Sequence, residues 1–239
     1  MTYYHFNSDF VSDSQQSFVK DLLNCKDFSQ SDRLLGSSTG RGITWFLDTK
    51  SELSINSVLR HYYRGGLFGK LIKDSYLFNG IKNTRAYQEF KLLEKLTQWN
   101  IPAPYPLALK IHRFLCFYQA DILLGRIDNT QDLSQFLQAS ALTDGQYHAI
   151  GQLIRQLHNH QVHHSDLNIH NILIGKNDGK FWLIDFDKCK IQSGEDWKQA
   201  NLSRLKRSFY KEKERLNIHF SEKNWEALLA GYKTLASNE

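Results

Sequence analysis

The sequence predicts an α+β protein in two parts. A strand-rich N-terminal lobe covers residues 1–119, and a hinge with a mainly helical C-terminal lobe covers 120–239. Three observations carry this reading. Strand-like runs crowd the first half, every proline falls within "IPAPYP" (Pro102, Pro104, Pro106), and past residue 140 the apolar spacing becomes helical. Two such lobes leave a cleft, and small ligands bind in clefts between lobes.

The elements run in order along the chain. "ITWFLD" (43–48) and "INSVLRHYY" (55–63) read as short strands. "TRAYQEFKLLEKLTQWN" reads as a helix, with Ala86, Leu93 and Leu96 at helical spacing and Phe90 beside them. Glu89 lies on that apolar stripe, and an inward carboxylate requires a cationic or hydrogen-bonding partner. The prolines stop this helix and lead into "LALKIHRFLCFYQADIL" (107–123), which is long enough to bend into two strands. "TDGQYHAIGQLIRQLHNH" places Ile150, Leu153, Ile154 and Leu157 at i, i+3, i+4, i+7, with Thr143 or Asp144 able to cap it. "NILIG" and "KFWLIDF" form two strands joined by a turn at "KNDG", and a helix resumes from Trp197. The first thirty residues and the last twenty-five add little to this pattern.

Composition narrows the class. No run of about 18 apolar residues is present, so no transmembrane helix is expected. The N-terminus lacks the charged start and apolar stretch of a secretory signal, and an interior, reducing setting is expected. Cys25, Cys116 and Cys189 are odd in number and far apart, which suits neither a disulfide framework nor a paired metal knuckle. A net charge of +5 mildly favours an anionic partner such as a nucleotide, a phosphorylated lipid, a nucleic acid or a membrane surface.

The segment "LHNHQVHHSDLNIHNILIGKNDGKFWLIDFD" carries the chemistry. His158, His160, His163 and His164 raise the possibility of a metal cluster, but their spacing matches no familiar zinc motif. The carboxylates give a different reading. "HSDLNIHN" fits H-x-D-L-x-x-x-N through His164, Asp166, Leu167 and Asn171, and "DFD" comes after it with Asp185 leading. Phosphoryl transfer from ATP requires a carboxylate to orient the attacking hydroxyl and oxygen ligands to hold Mg2+ against the phosphates. Asp166 suits the first task, and Asn171 with Asp185 the second.

This pair of motifs, in order and joined by a hairpin, resembles the catalytic loop and metal-binding segment of the protein-kinase-like fold. That resemblance implies a nucleotide lobe in the N-terminal half. Gly36, Gly40 and Gly42, before the strand at 43–48, then suit a loop whose N–H groups approach phosphates, although a simple hairpin turn explains them too. "SVLRHYYRGG" holds the place of the strand that carries the phosphate-contacting lysine, with Arg60 there instead. Glu89 is the implied counterion, and Lys70 is the rival to Arg60 if the register differs.

The residues around and beyond Asp185 narrow the acceptor. Asp187 replaces the glycine of D-F-G, no A-P-E is possible, and the stretch before the Trp197 helix is short for a peptide-binding activation segment. A small-molecule or sugar acceptor is expected. Two basic segments, with Arg60, Arg64, Lys70 and Lys73 in one and Lys198, Arg204, Lys206, Arg207, Lys211, Lys213 and Arg215 in the other, suit phosphorylated lipid headgroups or an anionic leaflet. The second equally suits a solvated helix face.

Seven segments, "GRGITWF", "VLRHYYRGGLFGKLIKDSYLF", "TRAYQEFKLL", "IPAPYPLA", "HHSDLNIHNILI", "FWLIDFDKCK" and "WKQANLSRLKRS", resemble the bacterial 3-deoxy-D-manno-octulosonic acid (Kdo) kinase family over roughly residues 36–210. The resemblance implies ATP-dependent phosphorylation of the Kdo 4-hydroxyl on Kdo-lipid IV(A) in lipopolysaccharide inner-core synthesis. It implies a peripheral protein at the anionic cytoplasmic leaflet of the bacterial inner membrane, with no nucleic-acid partner. By position, Asp166 is the implied catalytic base, Asn171 and Asp185 are the implied Mg2+ ligands, and Arg60 with Glu89 is the implied phosphate-positioning pair. Arg64, Gly65 and Gly66 are placed toward the acceptor. A kinase for an aminoglycoside, choline or protein, and a pseudokinase that binds without turnover, are the alternatives.

Overall fold

A computed structural model describes residues 1–40, 42–64 and 74–234. Their packing divides into two compact units, one of residues 1–94 and 104–128, the other of residues 95–103 and 129–239. A boundary at 119/120 would cut a strand, because Phe117–Gly125 is continuous.

The first unit is built on a seven-stranded antiparallel sheet. Its elements are β1 (Thr2–Phe6), α1 (Gln16–Asn24), β2 (Leu34–Thr39), β3 (Ile43–Leu47), the single-turn α2 (Lys50–Leu53), β4 (Ser57–His61), β5 (Tyr76–Leu77), α3 (Arg85–Gln98, divided after Glu94), β6 (Pro106–Phe114) and β7 (Phe117–Gly125). The order is β1-β6-β7-β4-β3-β2, with β5 on the far end of β7. The long apolar run after the prolines bends as expected, with Leu115 at φ 51° in the turn between β6 and β7.

The first thirty residues do more than the sequence pattern indicates. β1 adds an edge to the sheet in register Tyr4 with Lys110, and Val19, Leu22, Leu23 and Phe28 join the core formed by Leu47, Leu59, Leu107 and Leu123. The period-2 signal of β1 is weak because no residue of the strand is fully buried.

The second unit contains β8 (Thr130–Asp132), α4 (Leu133–Ala139), α5 (Asp144–Asn159), β9 (Val162–His163), β10 (Ile172–Gly175), β11 (Phe181–Leu183), β12 (Lys190–Ile191), α6 (Asp196–Leu216) and α7 (Glu222–Lys233). Thr143 caps α5 in a reciprocal box with Gln146: the Thr143 hydroxyl accepts from Gln146 N at 3.2 Å, and the Gln146 amide oxygen accepts from Thr143 N at 2.9 Å. The predicted hairpin is β10–β11, and β8 makes it a three-stranded sheet. Tyr147, Phe209 and Phe220 form the aromatic centre of the unit, where α5 and α6 present their buried faces. α5 and α7 approach closely enough that only glycine fits at Gly151 and Gly231. A Cβ on either would lie 2.0 Å from a backbone oxygen of the facing helix.

Candidate active site

The loop between β9 and β10 carries Asp166 and Asn171. Its backbone is held by the polar side chains that the motif supplies. Asn168 Nδ2 donates to the Asp166 carbonyl at 2.9 Å, Asn171 Nδ2 donates to the same carbonyl at 2.8 Å, and Asn168 Oδ1 accepts from His170 N at 2.8 Å. Because Asn171 spends its amide nitrogen on the loop, its oxygen is the atom left for a ligand.

His164 joins this loop to the strand that leads to Asp185. Its ring is fully buried; Nδ1 accepts from Asp166 N at 3.3 Å and Nε2 lies 3.0 Å from the Ile184 carbonyl. That geometry requires a neutral imidazole protonated on Nε2, and burial pushes the group below its ordinary range. Ile184 N in turn donates to the Asn171 carbonyl at 3.0 Å, which brings the backbones beside Asp185 and Asn171 together. Asp185 lies just past the end of β11 at φ 61°, a left-handed conformation that non-glycine residues adopt at a cost and that re-aims the side chain. Phe186 is buried against the His164 ring at 4.9 Å.

Asp166 is half-exposed, and α6 supplies its partner. Arg204 Nη2 meets Asp166 Oδ1 in an ion pair. Burial raises the Asp166 carboxyl, but the bond and charge of Arg204 outweigh it and hold the group below the usual carboxylate range. Sequence reasoning counted Arg204 only among the basic residues of a helix. Its position relative to Asp166 depends on α6 packing under the loop, where Ser208 Oγ accepts from Ile169 N at 3.0 Å and Asn201 Nδ2 donates to the His164 carbonyl at 2.8 Å.

His170, also unassigned by the motif, bridges two carboxylates. Its Nδ1 lies 3.1 Å from Asp132 and its Nε2 lies 3.3 Å from Glu212, which is 4% exposed. Glu212 also accepts from Arg215 at 2.6 Å. Burial raises the Glu212 carboxyl, and these two partners more than offset it.

The histidine cluster does not assemble as a metal site. His158 is buried, with Nε2 3.0 Å from Asn201 Oδ1 and Nδ1 2.9 Å from the Tyr232 hydroxyl. His160 stacks on Trp99 at 4.2 Å, and His164 is spent on the loop. No group of three or more His, Cys, Asp or Glu suited to a metal occurs among the described residues.

In the first unit, Arg60 and Glu89 meet. Arg60 sits on the interior strand β4, opposite Thr44 of β3 and Ile122 of β7. Its Nη2 lies 2.6 and 2.5 Å from the two oxygens of Glu89, which α3 presents at 2% exposure, and the Tyr62 hydroxyl donates to Glu89 at 2.5 Å. Gly40 and Gly42 close the turn between β2 and β3, where Gly40 N donates to the Gly42 carbonyl at 2.9 Å. A Cβ at Gly42 would lie 1.9 Å from the Tyr63 ring, whereas Gly40 faces open space. Lys70, Lys73, Gly65 and Gly66 lie outside the described residues; Arg64 rests over the Tyr76 ring at 5.5 Å.

The basic face of α6 is partly neutralised. Lys198 pairs with Glu195, Lys206 with Glu222 and Arg215 with Glu212, in addition to Arg204 with Asp166. Arg207 and Lys211 share an open face of α6 with Ser203, Tyr210 and Glu214.

The fold is shared with a solved structure of WaaP in complex with acyl carrier protein, at a TM-score of 0.60 and 15% identity over 96% of this chain and 88% of the other. The fold is thus protein-kinase-like, and the family and relatives that the chain matches make it a phosphotransferase of that class. The lipopolysaccharide kinase (Kdo/WaaP) family model matches residues 28–232. Proteins named 3-deoxy-D-manno-octulosonic acid kinase from Pasteurella multocida and Mannheimia succiniciproducens are 47% and 48% identical over 235 residues, 97% of this chain and 96% of each relative. One from Vibrio cholerae is 47% identical over 210 residues, 88% of this chain and 87% of the relative. This chain belongs to the lipopolysaccharide kinase (Kdo/WaaP) family.

Proposed function

We propose that the protein transfers the γ-phosphoryl group of ATP to the 4-hydroxyl of Kdo in Kdo-lipid IV(A), during synthesis of the lipopolysaccharide inner core. The observation that carries this reading is near-full-length identity of almost one half to proteins named for Kdo phosphorylation. Unit 1 would serve as the nucleotide-binding part and unit 2 as the catalytic part.

In this reading Asp166 Oδ2 accepts the proton of the acceptor hydroxyl, while Arg204 on Oδ1 keeps the carboxylate ionised. The hydroxyl oxygen bonds to the γ-phosphorus, the bond to the β,γ-bridging oxygen breaks, and ADP leaves with that electron pair. The donor set of Asn171 and Asp185, one amide oxygen and one carboxylate, fits a hard cation such as Mg2+. Bound there, Mg2+ would neutralise phosphate charge. Arg60, fixed by Glu89, positions the phosphates.

A lipid-borne acceptor implies work at the cytoplasmic face of the inner membrane. The exposed Arg207 and Lys211 on α6 support a peripheral contact with an anionic leaflet. Mass spectrometry of Kdo-lipid IV(A) after incubation with the protein, ATP and Mg2+ tests the proposal. One added phosphate on the Kdo residue is expected; an unmodified lipid, or phosphate on a peptide in preference to Kdo, would refute it.

A further inference from the structure

We propose that Arg204 recognises the carboxylate of the acceptor sugar and so selects an acidic sugar over a neutral one. The inference rests on the function proposed above and deepens it. Three observations support it.

Arg204 is placed where the acceptor must come. It touches Asp166 directly, and the hydroxyl that Asp166 deprotonates has to lie against the same carboxylate. In a 3-deoxy-2-ulosonic acid the carboxyl carbon is separated from C4 only by C2 and C3. An acceptor presenting its 4-hydroxyl to Asp166 therefore brings its own carboxylate within reach of a group beside Asp166.

Arg204 also has donors to spare. A guanidinium carries five N–H donors in a fixed fork. Only Nη2 is engaged, by Asp166 Oδ1, and Nε and Nη1 hydrogen-bond to no described residue. The side chain is half-exposed, so those donors are reachable. Planar, paired N–H groups are the chemistry that binds a carboxylate in a directed way, which an ammonium does not reproduce.

A second cation stands on the neighbouring strand. Lys190, exposed on β12, pairs in register with His163 of β9, and both Lys190 and Arg204 act electrostatically on that ring. A neutral hydroxyl needs no such surroundings; an anionic sugar is attracted by them. Of the other basic residues of α6, Lys198, Lys206 and Arg215 are paired with glutamates, and Arg204 is the one α6 cation paired with Asp166.

The test crosses a change in the protein with a change in the acceptor. Full-length wild type, Arg204→Gln and Arg204→Lys are assayed with Kdo-lipid IV(A) and with the same lipid carrying the Kdo carboxyl as a methyl ester. Wild type is expected to show a KM for the ester about 10- to 100-fold above that for the acid. Arg204→Gln is expected to raise the KM for the acid by a similar factor while barely distinguishing acid from ester. Arg204→Lys should fall between, and the KM for ATP should stay within about twofold throughout, which shows that each variant is folded. If wild type uses acid and ester equally well, or if Arg204→Gln lowers kcat alone and keeps the full preference for the acid, Arg204 only partners Asp166 and the proposal is wrong. If wild type phosphorylates neither lipid, the function proposed above fails first, and this inference falls with it.

Discussion

Arg60 Nη2 lies between the two carboxylate oxygens of Glu89, at 2.6 and 2.5 Å, beneath a sheet that leaves Glu89 only 2% exposed. The pair turns an otherwise costly inward carboxylate on α3 into an anchor for a cation on β4. Replacing Arg60 by Ala leaves that carboxylate in place without this guanidinium. A loss of about 2–3 kcal/mol in unfolding free energy is expected, at the low end of buried pairs because Arg60 is partly exposed and Tyr62 remains. The double variant Arg60→Ala/Glu89→Ala should recover much of this in urea unfolding and yet keep a raised KM for ATP. Normal ATP kinetics in either variant would shift the phosphate role to Lys70.

Asp166→Asn keeps the size of the side chain and removes its basicity. A fall of about 10²–10⁴-fold in kcat is expected, with ATP affinity by calorimetry nearly unchanged. A loss below tenfold would mean that another group takes the proton. Because Arg204 holds Asp166 below the ordinary carboxylate range, wild-type kcat should not fall on its account above about pH 5. In Arg204→Gln the acid limb should move upward.

His158 makes stability depend on pH. Burial lowers its pKa from 6.5 to about 4, so the folded state resists a proton that the unfolded chain accepts. The unfolded state binds more protons between those values, and stability therefore rises with pH across that window. The contribution is complete above about pH 6.5 and is lost toward pH 4, amounting to on the order of 3 kcal/mol. Urea midpoints at pH 7 and pH 5 should show this slope in the wild type and a shallower one in His158→Gln. An equal slope in both would place the titration elsewhere.

The α5–α7 crossing gives a test that avoids the chemistry. Gly231→Val would drive a side chain into the His148 carbonyl, which already lies 2.0 Å from an added Cβ. A destabilisation of about 1–3 kcal/mol or more is expected in thermal or urea unfolding, whereas Gly40→Ala, in open space, should change stability little.

The loop that carries Asp166 and Asn171 was readable because its motif is local. Asp166, Asn171 and Asp185 fall in one segment, and the asparagines that hold the loop act on backbone only a few residues away. Arg60 with Glu89 was readable for another reason, since a carboxylate on an apolar stripe demands a partner. Arg204 was not. Its helical stripe of Leu202, Leu205 and Phe209 shows which face is buried, but nothing in the periodicity says which loop that helix underlies. The same holds for Asp132, His170 and Glu212, three polar residues from separate elements whose relation is tertiary. β1, β8 and α4 escaped because they are short or half-buried, so packing rather than pattern defines them.

The stretch that leaves Asp185 has little slack. Ser165 Oγ donates to the Asp187 carbonyl at 3.1 Å, β12 pairs with β9, and Gln192 N donates to the Gln161 carbonyl at 2.8 Å before α6 begins. A segment fastened at three points resists the proteolytic clipping that a loose surface loop of the same length would invite.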